Sequence, residues 1–184
     1  EQGEFCVIYF DTIRYTVSRD STFWLSEDPD TISVGWDAAL ERICTYALFK
    51  ERKTTDQFWV FNTHFDHMGS IARERSSELI LDRIDRVNRR GLPVILMGDF
   101  NSVPDSPPID KIKTEMSDAL NISREEFQGP SGTFNGFDPD LPIEKRIDYI
   151  FTRNVKVLSY IHINDRLNNN RHISDHLPVM IEIQ

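Results

Sequence analysis

Apolar and polar positions alternate along most of the chain, and that period-two pattern predicts strands far more often than helices. Phe5–Phe10 and Ile13–Val17 read as two strands around Asp11-Thr12, a hairpin. Residues 20–37 are polar and irregular, with Phe23, Trp24, Leu25 and Trp36 as apolar anchors. Ile43–Phe49 and Phe58–Thr63 are rich in β-branched and aromatic residues, and the polar stretch Lys50–Gln57 joins them as a second, longer-looped hairpin. The long helical pattern is Ser70–Arg90, where Ile71, Leu79, Ile80, Ile84 and Val87 form an apolar stripe and Gly91 supplies the stop. Pro93–Met97 is continuously apolar, as expected of a strand buried on both faces. A short helix is expected after Pro107-Pro108, and Ser123–Pro142, rich in Gly, Pro and Asp, reads as loop. Ile147–Phe151, Val155–Ile163 and Val179–Ile183 complete the strands. Many strands with one long and one shorter helix point to an α+β fold, two sheets packed face to face with helices outside.

Composition narrows this picture. A chain of 184 residues is one domain or a large part of one. Hydrophobic residues at 39% beside charged residues at 28% exclude a disordered chain. No apolar run has the length of a membrane span. The net charge of −9 argues against a broad basic face for nucleic acid. It leaves room for an enzyme that meets phosphate through metal ions, because metal-holding carboxylates add to the negative total. Cys6 and Cys44 lie in strand-like apolar runs and read as small buried side chains, not as a disulfide framework. Glu1-Gln2-Gly3-Glu4 carries no signal-peptide pattern.

Chemistry-bearing residues gather at strand ends. Asn62-Thr63-His64-Phe65-Asp66-His67 follows one strand, and Gly98-Asp99-Phe100-Asn101 follows the buried one. Arg146-Ile147-Asp148-Tyr149 begins another, and Ser174-Asp175-His176 precedes the last. Taken singly, each has a structural reading: a tight turn for the GDFN tetrad, a core histidine for His64, a solvated strand start for Asp148, a loop pair for Asp175-His176. Taken together, they supply the parts for metal-assisted hydrolysis of a phosphate ester. Hard oxygen ligands suit Mg²⁺ or Mn²⁺. A histidine beside a carboxylate serves as acid, base or phosphate donor, and an asparagine amide donates to a nonbridging oxygen.

In their order along the chain, NTHFDH, GDFN, RIDYIF and SDH resemble the endonuclease/exonuclease/phosphatase superfamily of deoxyribonuclease I-like fold. The segment Gly35-Trp36-Asp37-Ala38-Ala39-Leu40-Glu41-Arg42-Ile43-Cys44-Thr45 is similar to a bacterial branch related to its deadenylase-like members. The resemblance spans nearly all of residues 1–184 as one domain and implies a four-layer α/β/β/α sandwich. It makes His64 the histidine that contacts the scissile phosphate, with Glu4 orienting it. Asp99 matches the residue that activates or positions the attacking water, and Asn101 and Arg42 match phosphate contacts. Asp148 matches the carboxylate that orients the second histidine, His176, and Asp175 matches a metal-site aspartate, with Asp99 beside the metal. Asp66 and His67 stand next to this centre, either as substrate contacts or as an exposed loop pair.

The family opens with a strand ending in Asn and another ending in Gln-Glu, whose Glu is its principal metal ligand. Neither precedes Glu4. The resemblance therefore implies an absent N-terminal part on the order of 70 residues, one sheet short of strands, and weak or absent Mg²⁺ or Mn²⁺ binding by this chain. The implied activity is divalent-metal-dependent hydrolysis of phosphate esters, with water attacking phosphorus in line. Substrates are drawn from nucleic acid, sugar phosphates and lipid headgroups, and no obligate protein partner is implied. The alternative is a catalytically silent domain that keeps the fold.

Overall fold

The computed structural model describes residues 5–184. Its main sheet has six strands: β1 (Tyr15–Trp24), β2 (Ile43–Glu51), β3 (Gln57–His64), β4 (Val94–Asp99), β5 (Ser117–Asp118) and β6 (Asp148–Arg153). Their spatial order is β1-β2-β3-β4-β6-β5. A second, two-stranded sheet pairs β7 (Val157–His162) with β8 (Val179–Ile183). Helices α1 (Ser70–Val87), α2 (Pro107–Lys113) and α3 (Ala119–Ile122) complete the regular structure. The expected α+β fold with two sheets is what the chain adopts.

The two-residue alternation of each strand sorts side chains onto two faces. On one face Tyr46, Trp59, Phe61, Leu96 and Phe151 pack against Ile80, Leu81, Ile84, Ile109 and Ile112 of α1 and α2. On the other, Ile150 with Ile95 and Met97 meets Val157, Tyr160, Val179 and Ile181 of the second sheet. Helix α1 is the crossover that lets β3 and β4 run parallel. Gly98 permits their close approach: at φ 144° it takes a conformation that favours glycine, and a Cβ there would lie 1.9 Å from the Thr63 carbonyl oxygen.

Several boundaries depart from the sequence pattern. Residues 5–10 form no strand; Ile8 and Phe10 pack on the sheet face beside Phe49, and the Asn62 amide donates to the Val7 carbonyl at 2.8 Å. The turn at Asp11 exists, but it leads into one long edge strand, β1, that runs through residues expected to be irregular. Half of β1 is exposed, so backbone pairing with β2 and not burial defines it, and an alternation test misses such a strand. Helix α1 ends at Val87, because the Asn88 side chain closes a turn on both the N–H and the carbonyl of Leu92. Ile71, expected on its apolar stripe, is exposed, and Ser76 and Ser77 are buried in its place. The short β5 and α3 left no pattern long enough to read. Cys6 and Cys44 are both buried, as expected.

Candidate active site

The register of the main sheet builds the site. His64 pairs with Asp99 across β3 and β4, and Asp99 pairs with Asp148 across β4 and β6. Three residues from distant parts of the chain thus form one row at the sheet end. Alternation points all three toward the face covered by the second sheet, since Val60, Ile95 and Ile150 share their parity. The backbone locks the row: the Phe65 N–H donates to the Asp99 carbonyl at 2.8 Å, and the Phe100 N–H to that of Ile147 at 2.9 Å.

The carboxylate of Asp99 lies between two imidazoles. Its Oδ2 is 3.3 Å from His64 Nε2 and 3.9 Å from His176 Nε2. Its Oδ1 accepts the Asn101 N–H at 2.8 Å, which holds Asn101 in a left-handed turn at φ 45°. The Asn101 amide donates to the Phe65 carbonyl at 2.9 Å, an acceptor that fixes which way the amide faces. That amide nitrogen also stands 3.2 Å from His64 Nε2. His64 Nε2 thus faces both the Asn101 amide nitrogen and the Asp99 carboxylate.

His176 comes from the loop before β8. Its Nδ1 donates to Asp148 Oδ2 at 2.7 Å, which turns Nε2 toward Asp99. The Phe134 ring meets the imidazole edge-on at 5.2 Å. The hydrogen bond to Asp148 raises the His176 pKa, half-burial opposes it, and the charges of Asp148, Asp99 and Asp175 add to the rise. The imidazolium is thus favoured beside two carboxylates.

His64, Asp99, Asn101, Asp148 and His176 are all brought together as the sequence suggested; Glu4 lies outside the described residues. Asp175 stands beside His176 in the loop before β8. Its carbonyl accepts from the N–H groups of Asn135 and Gly136, and its carboxylate is 3.4 Å from the Ser174 hydroxyl. Arg42, expected at the phosphate, is 4% exposed, with Nε 3.5 Å from Asp66 Oδ2 and a terminal nitrogen 3.1 Å from His67 Nδ1. Asp66 is a buried anchor and no surface contact. Burial works against its ionisation, but N–H donors from Gly69, Met68, Ala39 and Leu40 hold its pKa at about 2. His67 keeps an exposed ring whose Nδ1 must accept from Arg42, since a guanidinium has no acceptor.

Sequence reasoning missed residues 132–135, which contact both halves of the Asp148–His176 pair from within a segment read only as loop. A Gly-Thr-Phe-Asn-Gly run between turn residues carries no sign of what it touches.

Ligand atoms of Asp99, Asp148 and His176 all lie within 4.8 Å of one another, the group among the described residues suited to a metal ion. A hard cation fits the two carboxylates better than the imidazole, whose Nδ1 is committed to Asp148 and whose protonated form is favoured. Asp175, expected as a ligand, is not in this group.

The sequence model described as the Endonuclease/Exonuclease/phosphatase family matches residues 8–176. A mannosyl-6-phosphatase of Bacteroides thetaiotaomicron superimposes with a TM-score of 0.89 at 35% identity, over 95% of this chain and 69% of that one. An uncharacterised protein of Acanthamoeba polyphaga mimivirus is 32% identical over 193 residues, 95% of this chain and 68% of its own. The human Nocturnin catalytic domain, at 18% identity and TM-score 0.68 over 95% of this chain and 62% of that one, shares the fold.

Proposed function

The chain belongs to the endonuclease/exonuclease/phosphatase family, and on that premise we propose that it hydrolyses phosphate esters, a sugar phosphomonoester in particular. The observation that carries this reading is Asp99 Oδ2 between the Nε2 atoms of two histidines, at 3.3 and 3.9 Å. A base flanked by two proton-carrying groups is what water attack on phosphorus requires, since a proton must leave the water while negative charge builds on the phosphoryl oxygens. Asp99 takes the proton of the attacking water. His176, held charged by Asp148, donates a hydrogen bond to a phosphoryl oxygen. His64 and Asn101 bind the phosphate from the other side, and His64 Nε2 returns a proton to the departing oxygen. Asp99 and Asp148 would hold Mg²⁺ or Mn²⁺, which when bound neutralises phosphate charge and makes water a better acid.

The sugar class is supported by the 35% identity to a mannosyl-6-phosphatase. The net charge of −9 disfavours a long polyanion. The test is phosphate release from mannose 6-phosphate, p-nitrophenyl phosphate and bis-p-nitrophenyl phosphate, with Mg²⁺, with Mn²⁺ and with chelator. We expect turnover of the monoesters, abolished by chelator and lowered on the order of 10²–10³-fold or more by Asp99→Asn. Folded protein that releases no phosphate from any of the three with either cation would refute the proposal, as would an undiminished Asp99→Asn variant.

A further inference from the structure

Asp148 and His176 are 28 residues apart in the chain, and their 2.7 Å hydrogen bond joins the start of β6 to the loop before β8. Each of these segments is tied to one short stretch, residues 132–135. The Thr133 hydroxyl oxygen, fully buried, accepts two N–H groups at once, that of Ile147 at 3.1 Å and that of Asp148 at 3.2 Å. The Thr133 N–H and the Phe134 N–H both donate to the Lys145 carbonyl, at 2.9 and 3.0 Å. The same stretch then grips the other loop. The Leu177 N–H donates to the Thr133 carbonyl at 2.7 Å, and Phe134 forms an antiparallel bridge with His176 while its ring meets the imidazole. Asn135, also fully buried, donates its backbone N–H to the Asp175 carbonyl at 2.8 Å and its amide to that of Ser174 at 3.0 Å. Its remaining oxygen accepts the Phe137 N–H at 2.8 Å.

We propose that residues 132–135 are a positioning clamp for the Asp148–His176 pair, with the Thr133 hydroxyl as its central group. The inference rests on the reading of that pair as part of a hydrolytic site. Gly132 is built for the same purpose, because a Cβ on it would stand 2.4 Å from the Glu144 carbonyl carbon and push the stretch off its seat. Thr133 touches no reacting atom in this account. It fixes the backbone from which the Asp148 carboxylate projects, and Phe134 and Asn135 fix the loop that delivers the imidazole. Residues that orient a catalytic pair are worth the precision they add to its geometry.

Thr133→Val keeps the shape of the side chain and removes the acceptor; Thr133→Ser keeps the acceptor. The first readout needs neither substrate nor metal: the Hδ1 proton of His176, visible by NMR at fixed pH only while it is bonded to Asp148 and shielded from exchange. We expect it in the wild type and Thr133→Ser, and lost or displaced in Thr133→Val. The second readout is p-nitrophenyl phosphate hydrolysis with Mn²⁺. Outer partners of this kind typically change activity by about 10–100-fold. The kcat of Thr133→Val should fall by that factor with little change in KM, and Thr133→Ser should regain most of it. Folded Thr133→Val with an unchanged Hδ1 resonance overturns the clamp, and so does loss of the resonance with unchanged kcat. If Thr133→Val does not fold, Phe134→Leu, which keeps an apolar side chain and removes the ring edge, is read by the same two measurements with the same refuting outcomes. If the wild type hydrolyses no phosphate ester, the hydrolytic reading fails by itself, and the resonance still decides whether the clamp exists.

Discussion

Replacing Asp66 by Asn would unpick the join between the loop before β2 and the start of α1. Oδ1 of Asp66 accepts the N–H groups of Met68 at 2.9 Å and Gly69 at 2.7 Å. Oδ2 accepts those of Ala39 at 3.1 Å and Leu40 at 3.3 Å, with Arg42 Nε at 3.5 Å. Asparagine keeps the shape, but it turns one oxygen into a donor facing donors and removes the charge opposite a guanidinium that is 4% exposed. The fall of the Asp66 pKa from 3.8 to about 2 corresponds to roughly 2.5 kcal/mol of stability. Breaking one side of a buried ion pair costs about 3–5 kcal/mol. The two figures describe one set of contacts, so the expected loss near pH 7 is about 2–5 kcal/mol. Urea unfolding of both proteins, compared through midpoint and slope, measures it. The sign of the pH dependence follows from the depressed pKa. The contribution is full above the unfolded-state value of 3.8 and disappears as pH falls through about 2. The gap between wild type and variant should therefore stay constant from about pH 7 to about pH 5 and narrow toward pH 2. A loss below about 1 kcal/mol, typical of an exposed pair, or a gap indifferent to acid would refute the reasoning.

Asp148→Asn should lower the His176 pKa, because the carboxylate's hydrogen bond is the largest cause of its rise. In the wild type that raised value adds stability that is full below the unfolded pKa near 6.5 and is lost as pH rises through the folded one, so the variant should show a weaker alkaline decline; NMR titration of the ring measures the shift. Asp118→Ala should destabilise by about 3–5 kcal/mol, since it strands buried Arg146, now bonded to both Asp118 oxygens at 2.6 and 2.8 Å. Adding Arg146→Met should recover part of that loss in the same unfolding assay, because it removes the buried charge left without its partner.

The parts of this protein that the sequence made legible are those whose cause is local. Residues 70–90 show a helical stripe within one window and residues 93–97 an apolar run, so the existence and the start of both elements were readable, while their ends, at Val87 and Asp99, were not. The row of His64, Asp99 and Asp148 was legible in another way: each stands at a strand end, and chemistry at several strand ends is a pattern even before the register is known. What escaped is whatever depends on a backbone partner far along the chain. β1 is a strand because β2 pairs with it, although half of its residues are exposed.

The same distinction applies to charged groups held inside the protein. Arg42 has the chemistry of a phosphate contact, and the sequence does not say that Asp66, 24 residues on, meets it inside the protein. Asp37 looks like one more loop acid, yet it caps α1 by accepting the N–H groups of Ile71 at 3.2 Å and Ala72 at 2.7 Å. Gly69, at the cap position itself, has no side chain to do so, and a Cβ there would lie 2.6 Å from the Asp37 carboxylate. Thr133 is the limiting case, because its hydroxyl acts only through two amide N–H groups, which every non-proline residue has and no sequence pattern marks. The acids and histidines of the row announce themselves by residue type; the groups that aim them are ordinary residues given a task by register and turn geometry. Residue type therefore marks the members of the row, and buried backbone donors such as the Ile147 and Asp148 N–H groups mark what holds them in place.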